Sequence, residues 1–437
     1  MKRKIWRCIH RLGLGVALAM ALMALPSYAG AQVKPGDFIT PANAAKVKDI
    51  TPPGIYWHVV NGMTMNIVPT GRVDWPPPFK DATEKYSSQV QLSRDHKSMV
   101  GYVAGLPFPL IDDNDPYAGA KIIWNNTFRP IATDDYDLRM FECDATRVNP
   151  GKKPFIINNY IIGHYAGYNL VGRTEVEPLP IDPDFKVSGA YYLFGLYPVI
   201  APSAYRGAGI VRYRYADPKR GDDAWSYNRN TRRVRRLNES TLSIATGFGG
   251  SNPDHYGGFN PKNEFYNYKF LGEKKELSVI HAKFVPEHHC MSDGGVSICP
   301  ENWEMRDDYI VQATATHHYN AVEGKNLIYM DSEAWYSTEV DTYDRQGQLF
   351  QNFSYLLTYR DRPVPDARIA IYPFKRIFVV GTFTCDLQSG ACQPCYLPGP
   401  DVAERECWYI NMGAIDKQFF TREAMQRAGE TGNGNVE

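Results

Sequence analysis

The stretch Trp225-Ser226-Tyr227-Asn228-Arg229-Asn230-Thr231-Arg232-Arg233-Val234-Arg235-Arg236 decides how the chain is read. An aromatic run, a polar Asn-Arg-Asn turn and an arginine-rich run follow one another as the arms and tip of a β-hairpin. Side chains alternate across a strand, so Arg233 and Arg235 take one face while Arg232 and Arg236 flank Val234 on the other. Unpaired charge is costly inside a sheet, so one face must meet carboxylates or solvent. The other is free to meet something that the protein binds. The plainer alternative is that both faces are ion-paired or solvated.

Outward from the hairpin, strand patterns dominate. Val211-Arg212-Tyr213-Arg214-Tyr215 alternates and runs toward Trp225. Strands are predicted around Asp137–Cys143, Phe155–Gly163, Leu170–Val176, Val187–Phe194 and Gly209–Tyr215. Downstream they are predicted near Trp303–Thr316, Leu327–Tyr336, Gln348–Tyr359, Ile369–Tyr372 and Ile377–Cys385. Tyr56–Val68 has strand character around the Asn61-Gly62 turn. Helices are expected over Pro41–Ile50, Lys80–Leu92, Asp115–Asn126 and Asp416–Ala428, with a further start at Leu237–Ala245 leading into a Gly-rich loop to Asn260. The aromatic and proline content, 29 Tyr, 20 Phe and 31 Pro, fits a β-rich chain. The fold class is mainly β (α+β), a meandering antiparallel sheet with inserted helices.

The first 31 residues read as an export signal. Lys2, Arg3, Lys4, Arg7 and Arg11 precede an uncharged run from Leu12 to Leu25, and Ala29-Gly30-Ala31 supplies the cleavage pattern before Gln32. That apolar run is too short to span a bilayer, and no second segment approaches spanning length. Residues 32–437 are expected to form one large domain in the periplasm. The whole chain has 48 basic and 48 acidic residues; removing five basic and no acidic ones leaves 43 against 48, a net charge of −5. A mildly acidic body argues against nucleic acid as a partner.

An exported chain keeps its disulfides. Cys290 and Cys299 bracket a Gly-Gly turn, and Cys385, Cys392, Cys395 and Cys407 cluster near the end. Four cysteines allow three pairings; Cys385–Cys392 and Cys395–Cys407 are favoured here, which leaves Cys143 as a free thiol. Catalytic signatures are missing: there is no nucleophile elbow, P-loop, HExxH or dinucleotide fingerprint. The pairs His288-His289 and His317-His318 cannot each chelate one ion from a regular strand, because neighbours point to opposite faces. No metal and no cofactor is expected.

Several segments together resemble one family. Gly105-Leu106-Pro107-Phe108-Pro109, Trp124-Asn125, Trp225-Ser226-Tyr227 with Arg232–Arg236, and Trp335-Tyr336 followed by Tyr343-Asp344-Arg345-Gln346-Gly347-Gln348-Leu349 are similar, in order, to domain-of-unknown-function family 1329. The resemblance implies an architecture like the Lol-type periplasmic lipoprotein carriers: a strongly curved antiparallel sheet, an incomplete barrel, with helices over its concave apolar face. It implies a lipid or other hydrophobic ligand, and association with outer-membrane channel-like proteins and efflux-type inner-membrane transporters. The leading expectation is therefore a non-enzymatic carrier whose ligand meets Arg233, Arg235, Trp225, Tyr227, Phe108, Trp335 and Tyr343. The rivals are a ligandless adaptor between an outer-membrane protein and a transporter, and a hydrolase using His255 or His318 as base.

Overall fold

A computed structural model describes residues 33–431, apart from 150–151, 154, 239–252, 284–299, 317–322, 365–367, 369 and 398–407. Val33–Glu437 groups as one unit. Short strands β1 (Phe38–Ile39) and β2 (Met65–Ile67) bracket a 3-10 helix, Pro41–Ile50, and helix α1 (Pro53–Val60). The Asn61-Gly62 segment thus ends a helix, where a strand turn is expected from the sequence. Pro52-Pro53 explains the difference: proline at the first helical position fixes φ for a helix and lacks only an N–H that would be unsatisfied there. Helix α2 (Pro77–Tyr86), the hairpin of β3 (Gln91–Leu92) and β4 (Met99–Val100), and helix α3 (Ala118–Thr127) follow.

The first long meander is β5 (Asp135–Arg147), β6 (Phe155–Asn169), β7 (Ala190–Ala201), β8 (Gly209–Tyr215), β9 (Asp223–Asn228) and β10 (Arg233–Leu237), with the short helix α4 (Asp184–Ser188) before β7. The second is β11 (Tyr266–Ser278), β12 (Glu301–Ala315), β13 (Glu323–Asp331), β14 (Ser337–Asp344), β15 (Leu349–Arg360), β16 (Arg376–Asp386) and β17 (Ala391–Tyr396). β18 (Trp408–Ile410) and helix α5 (Arg422–Thr431) close the described chain. Among the described residues, sixteen strands join in one sheet: fourteen follow the path β1-β2-β12-β13-β14-β15-β16-β17-β5-β6-β7-β8-β9-β10, while β11 pairs with β12 and β18 with β5. Pairing is antiparallel except where β2 lies parallel to β12. The path has two ends, so the sheet is not a closed barrel. Leu170–Val176 and Tyr372, expected as strand, lie between strands instead.

The two meanders meet where β17 pairs with β5. There Cys395 is the register partner of Cys143, and the two are disulfide-bonded; Cys385 and Cys392, partners across β16 and β17, form a second bond. Cys143 is therefore not free and Cys395 does not pair with Cys407. The physical reason is register: a strand 252 residues away in sequence lies next to Cys395, with a Cα–Cα distance of 4.0 Å. Cys290, Cys299 and Cys407 lie outside the described residues.

The sheet is covered on both faces. Behind β7–β9, the segment Lys417–Phe420 and α5 pack on Tyr197, Val211 and Tyr227; Phe419 stacks on the Tyr197 ring with centroids 4.3 Å apart. Behind β14 and β15, α1 sits so close that a Cβ on Gly54 would meet Asp341 and Asn352 side chains at 2.2 and 2.5 Å. Only glycine fits there. The opposite face is covered by α3 and the loops around Tyr102 and Tyr256, and between cover and sheet lies a cavity.

A candidate ligand cavity

The cavity has a volume of about 160 Å³. Its floor takes residues from both meanders: Tyr136, Leu138, Phe141 and Cys143 of β5, Ile162 and Tyr165 of β6, and Phe353 and Tyr355 of β15. Strict alternation would not put these on one face. In β5 the cavity residues step from Leu138 to Phe141, and in β6 from Tyr165 to Ile162. Both skips fall at one level, where Met140 sits at φ 52° between the pairs Arg139–His164 and Phe141–Ile162. This kink swaps the faces of both strands together and bends the floor. Tyr136 lies flat over its cross-strand partner Gly167, where a Cβ would stand 2.3 Å from the ring.

The cover is pinned by hydrogen bonds around α3, and its loop near Tyr256 also by the ion pair of Asp254 with Arg212 (3.3 Å). Asn126 Nδ2 donates to the Phe259 carbonyl (2.8 Å), and its Oδ1 accepts from the Ser337 N–H (3.1 Å). Arg129, just past α3, donates through Nη1 to the Asn126 carbonyl and through Nη2 to that of Gly257, both at 2.7 Å. Its guanidinium lies over the Tyr336 ring, 4.5 Å from the centroid.

Apolar and aromatic side chains dominate the wall, joined by a band of phenols. The Tyr136 and Tyr192 hydroxyls are hydrogen-bonded at 2.6 Å. Burial raises Tyr136 and Tyr165 well above the usual phenol range, raises Tyr192, and pushes Tyr336 up to about 12. At neutral pH these are all uncharged hydroxyls. No aspartate or glutamate lines the cavity, and Arg129 is the one charged side chain that does, among the described residues.

None of the seven residues expected to meet a ligand lines this cavity. Arg233 and Arg235 are exposed on β10, the last strand of the sheet path, and Arg236 pairs with Asp223. Tyr227 packs in the core under α5, and the half-buried Trp225 packs against the same cluster. Phe108 joins Val90 and Trp124 in a separate cluster. Trp335 is buried and stacked on Tyr309, and Tyr343 is half-buried beneath Lys325. His255 is buried against Phe353 and Phe259, its Nδ1 has no hydrogen-bond partner, and burial pushes its pKa down to about 3. That is the setting of a core imidazole. His318 lies outside the described residues. Missed by sequence reasoning were Arg129, Tyr136, Tyr165 and Tyr192; Tyr336 stands beside Trp335 in a motif of the resemblance, and Tyr355 opens the run to Arg362, whose aromatic and charged side chains suit a bound amphiphile.

The chain matches the family model described as protein of unknown function (DUF1329) over residues 38–426, and it belongs to that family. Among solved structures it is similar to a domain from Vibrio parahaemolyticus proposed to sort outer membrane lipoproteins (13% identity, 72% of this chain and 100% of that one, TM-score 0.47). It is similar to a DUF1329 family protein from Desulfovibrio piger (12%, 71% and 100%, TM-score 0.45). A LolA superfamily protein from Nitrosomonas europaea is matched at 12% identity over 67% of this chain and 91% of that one, TM-score 0.34. No functionally curated protein matches. No helix among the described residues is long and apolar enough to cross a membrane.

Proposed function

We propose that the protein is a periplasmic carrier that binds a hydrophobic ligand, a lipid or an acyl chain, and hands it between the inner and outer membrane. The observation that carries this reading is the cavity itself, roofed by α3 and two loops and walled by aromatic and aliphatic side chains from both meanders. Burying apolar surface at roughly 25 cal/mol per Å² drives loading without any catalytic group. An apolar cavity of about 150 Å³ holds a ligand no larger than benzene, so a longer chain requires the cover to lift. A channel-like outer-membrane protein and an efflux-type transporter are the partners that would supply and accept the ligand.

The test is direct. The chain from Gln32, produced in a periplasm, is extracted with organic solvent and the extract analysed by mass spectrometry. The same is done for Ala132→Trp, which puts an indole where a methyl now borders the cavity. The expected result is co-purified lipid in the parent and its loss in the variant, with the melting temperature unchanged. A parent that yields no lipid and takes up no apolar probe sinks the carrier reading.

A further inference from the structure

Arg129 is electrically alone in the cavity wall. Its partners are two neutral carbonyls and a neutral ring, and its Nε is buried with no acceptor. The nearby buried arginines are different: Arg214 holds Asp222 at 2.9 Å, and Arg212 lies 3.3 Å from Asp254. Their charge is matched inside the protein. No carboxylate forms an ion pair with Arg129 among the described residues, and the phenols around it are kept protonated by burial. Arg129 is half-buried and its Nε is sealed from water without an acceptor, so an anion placed beside this guanidinium offsets a cost that its neutral neighbours do not.

From this we infer that the ligand is an amphiphile with a carboxylate head, its head at Arg129 and its tail along Leu138, Phe141 and Ile162. This rests on the carrier reading and narrows it. Five N–H groups belong to a guanidinium. One on each Nη is spent on the Asn126 and Gly257 carbonyls, which leaves one on each for a ligand. Two donors in one plane suit the two oxygens of a carboxylate. Among the described residues, the cavity wall holds no acid that could receive a cationic head. Because Arg129 also fastens α3 to the loop at Gly257, a head group competing for its N–H groups would act on the cover itself.

The experiment is calorimetric titration of the ligand-stripped chain from Gln32 with decanoate and with 1-decanol at pH 7.5. The two share a tail and differ in head charge. Decanoate is expected to bind at least tenfold more tightly. In Arg129→Met the ratio of the two affinities is expected to fall to near one, and in Arg129→Lys to an intermediate value, since lysine keeps the charge but loses the planar pair of donors. A purely structural role for Arg129 would weaken both ligands together and leave the ratio unchanged. Equal binding of both probes by the parent overturns the inference while the carrier reading stands. So does a ratio that survives Arg129→Met. Binding of neither probe by the parent overturns the carrier reading, and this inference with it. The parent ratio needs no variant, so misfolding of a variant does not remove the test.

Discussion

Cys143 of β5 and Cys395 of β17 are cross-strand partners joined by a disulfide at the seam between the two meanders. Successive strands within each meander are neighbours in sequence, whereas this bond at the seam closes 252 residues. In the chain-entropy account a closed loop of that length stabilises by about 5.5 kcal/mol. Cys143→Ser with Cys395→Ser is therefore expected to lower the denaturant midpoint clearly. Alkylation of the unreduced, denatured chain, followed by peptide mapping, is expected to leave Cys143, Cys385, Cys392 and Cys395 unlabelled. Labelled Cys143 would disprove the seam bond.

The arginine strand gives the opposite expectation. Arg233 and Arg235 are exposed on β10 and form no ion pair among the described residues, while Arg236 reaches Asp223 from a side chain that is 70% exposed. Surface charges of this kind contribute less than about 1 kcal/mol. Replacing Arg233 and Arg235 together with Lys should leave thermal unfolding within about 0.5 kcal/mol of the parent. Affinity for decanoate should not change either. A tenfold loss of affinity would return these residues to the site.

Much of the fold was legible in the sequence, because strand alternation is written locally. Gly209–Tyr215 and the hairpin to Arg236 fall where alternation puts them, and so do β5, β6, β12, β15 and β16 within a few residues. What alternation could not carry was position in the sheet. The hairpin ends the sheet path, so the charges that look most conspicuous in sequence are simply solvated. Arg212 and Arg214, which sit in an equally clear alternation, are the buried ones, because Asp222 and Asp254 reach them from elsewhere. The cavity was hidden for a further reason. Its floor depends on the shared kink at Met140, which swaps faces in β5 and β6 together, and no periodicity shows that. Arg129 has no local signal beyond following a helix.

Gly429 of α5 offers a test of the packing behind the sheet. A Cβ at this position would stand 2.4 Å from the Tyr227 ring and 2.6 Å from the Gly207 carbonyl. Neither can yield easily, since Tyr227 is buried and Gly207 is backbone. Gly429→Ala is expected to destabilise by about 1–3 kcal/mol, despite alanine's better helix propensity. Equal or higher stability in chemical denaturation would mean that α5 does not sit on Tyr227 as described.

The final expectation concerns pH and comes from carboxyl groups sealed between α1, the sheet and its neighbours. Burial raises Asp341 to about 7, against hydrogen bonds donated by the Gly54 N–H and by Asn352 Nδ2. Burial likewise raises Glu323 to about 7, against hydrogen bonds from Asn326 and Tyr266. Burial also raises Asp308 and Glu339 well above the usual carboxylate range. An acid whose folded pKa is raised holds a proton that the unfolded chain, with pKa near 4, releases. Its contribution to stability is thus full below about pH 4 and is lost as pH rises through the folded value. His58 and His255 work the other way: burial pushes each down to about 3, so their contribution is lost as pH falls from 6.5 toward 3. The opposing slopes overlap on the acid side and separate above pH 6.5, where the histidines are neutral in both states and the carboxyls still titrate. Thermal unfolding should therefore show a melting temperature that falls by a few degrees between pH 6.5 and 8. In Asp341→Asn, which cannot ionise, the fall over the same interval should be smaller. A melting temperature that rises from pH 6.5 to 8, or an unchanged slope in Asp341→Asn, would show that Asp341 is not sealed from water under α1.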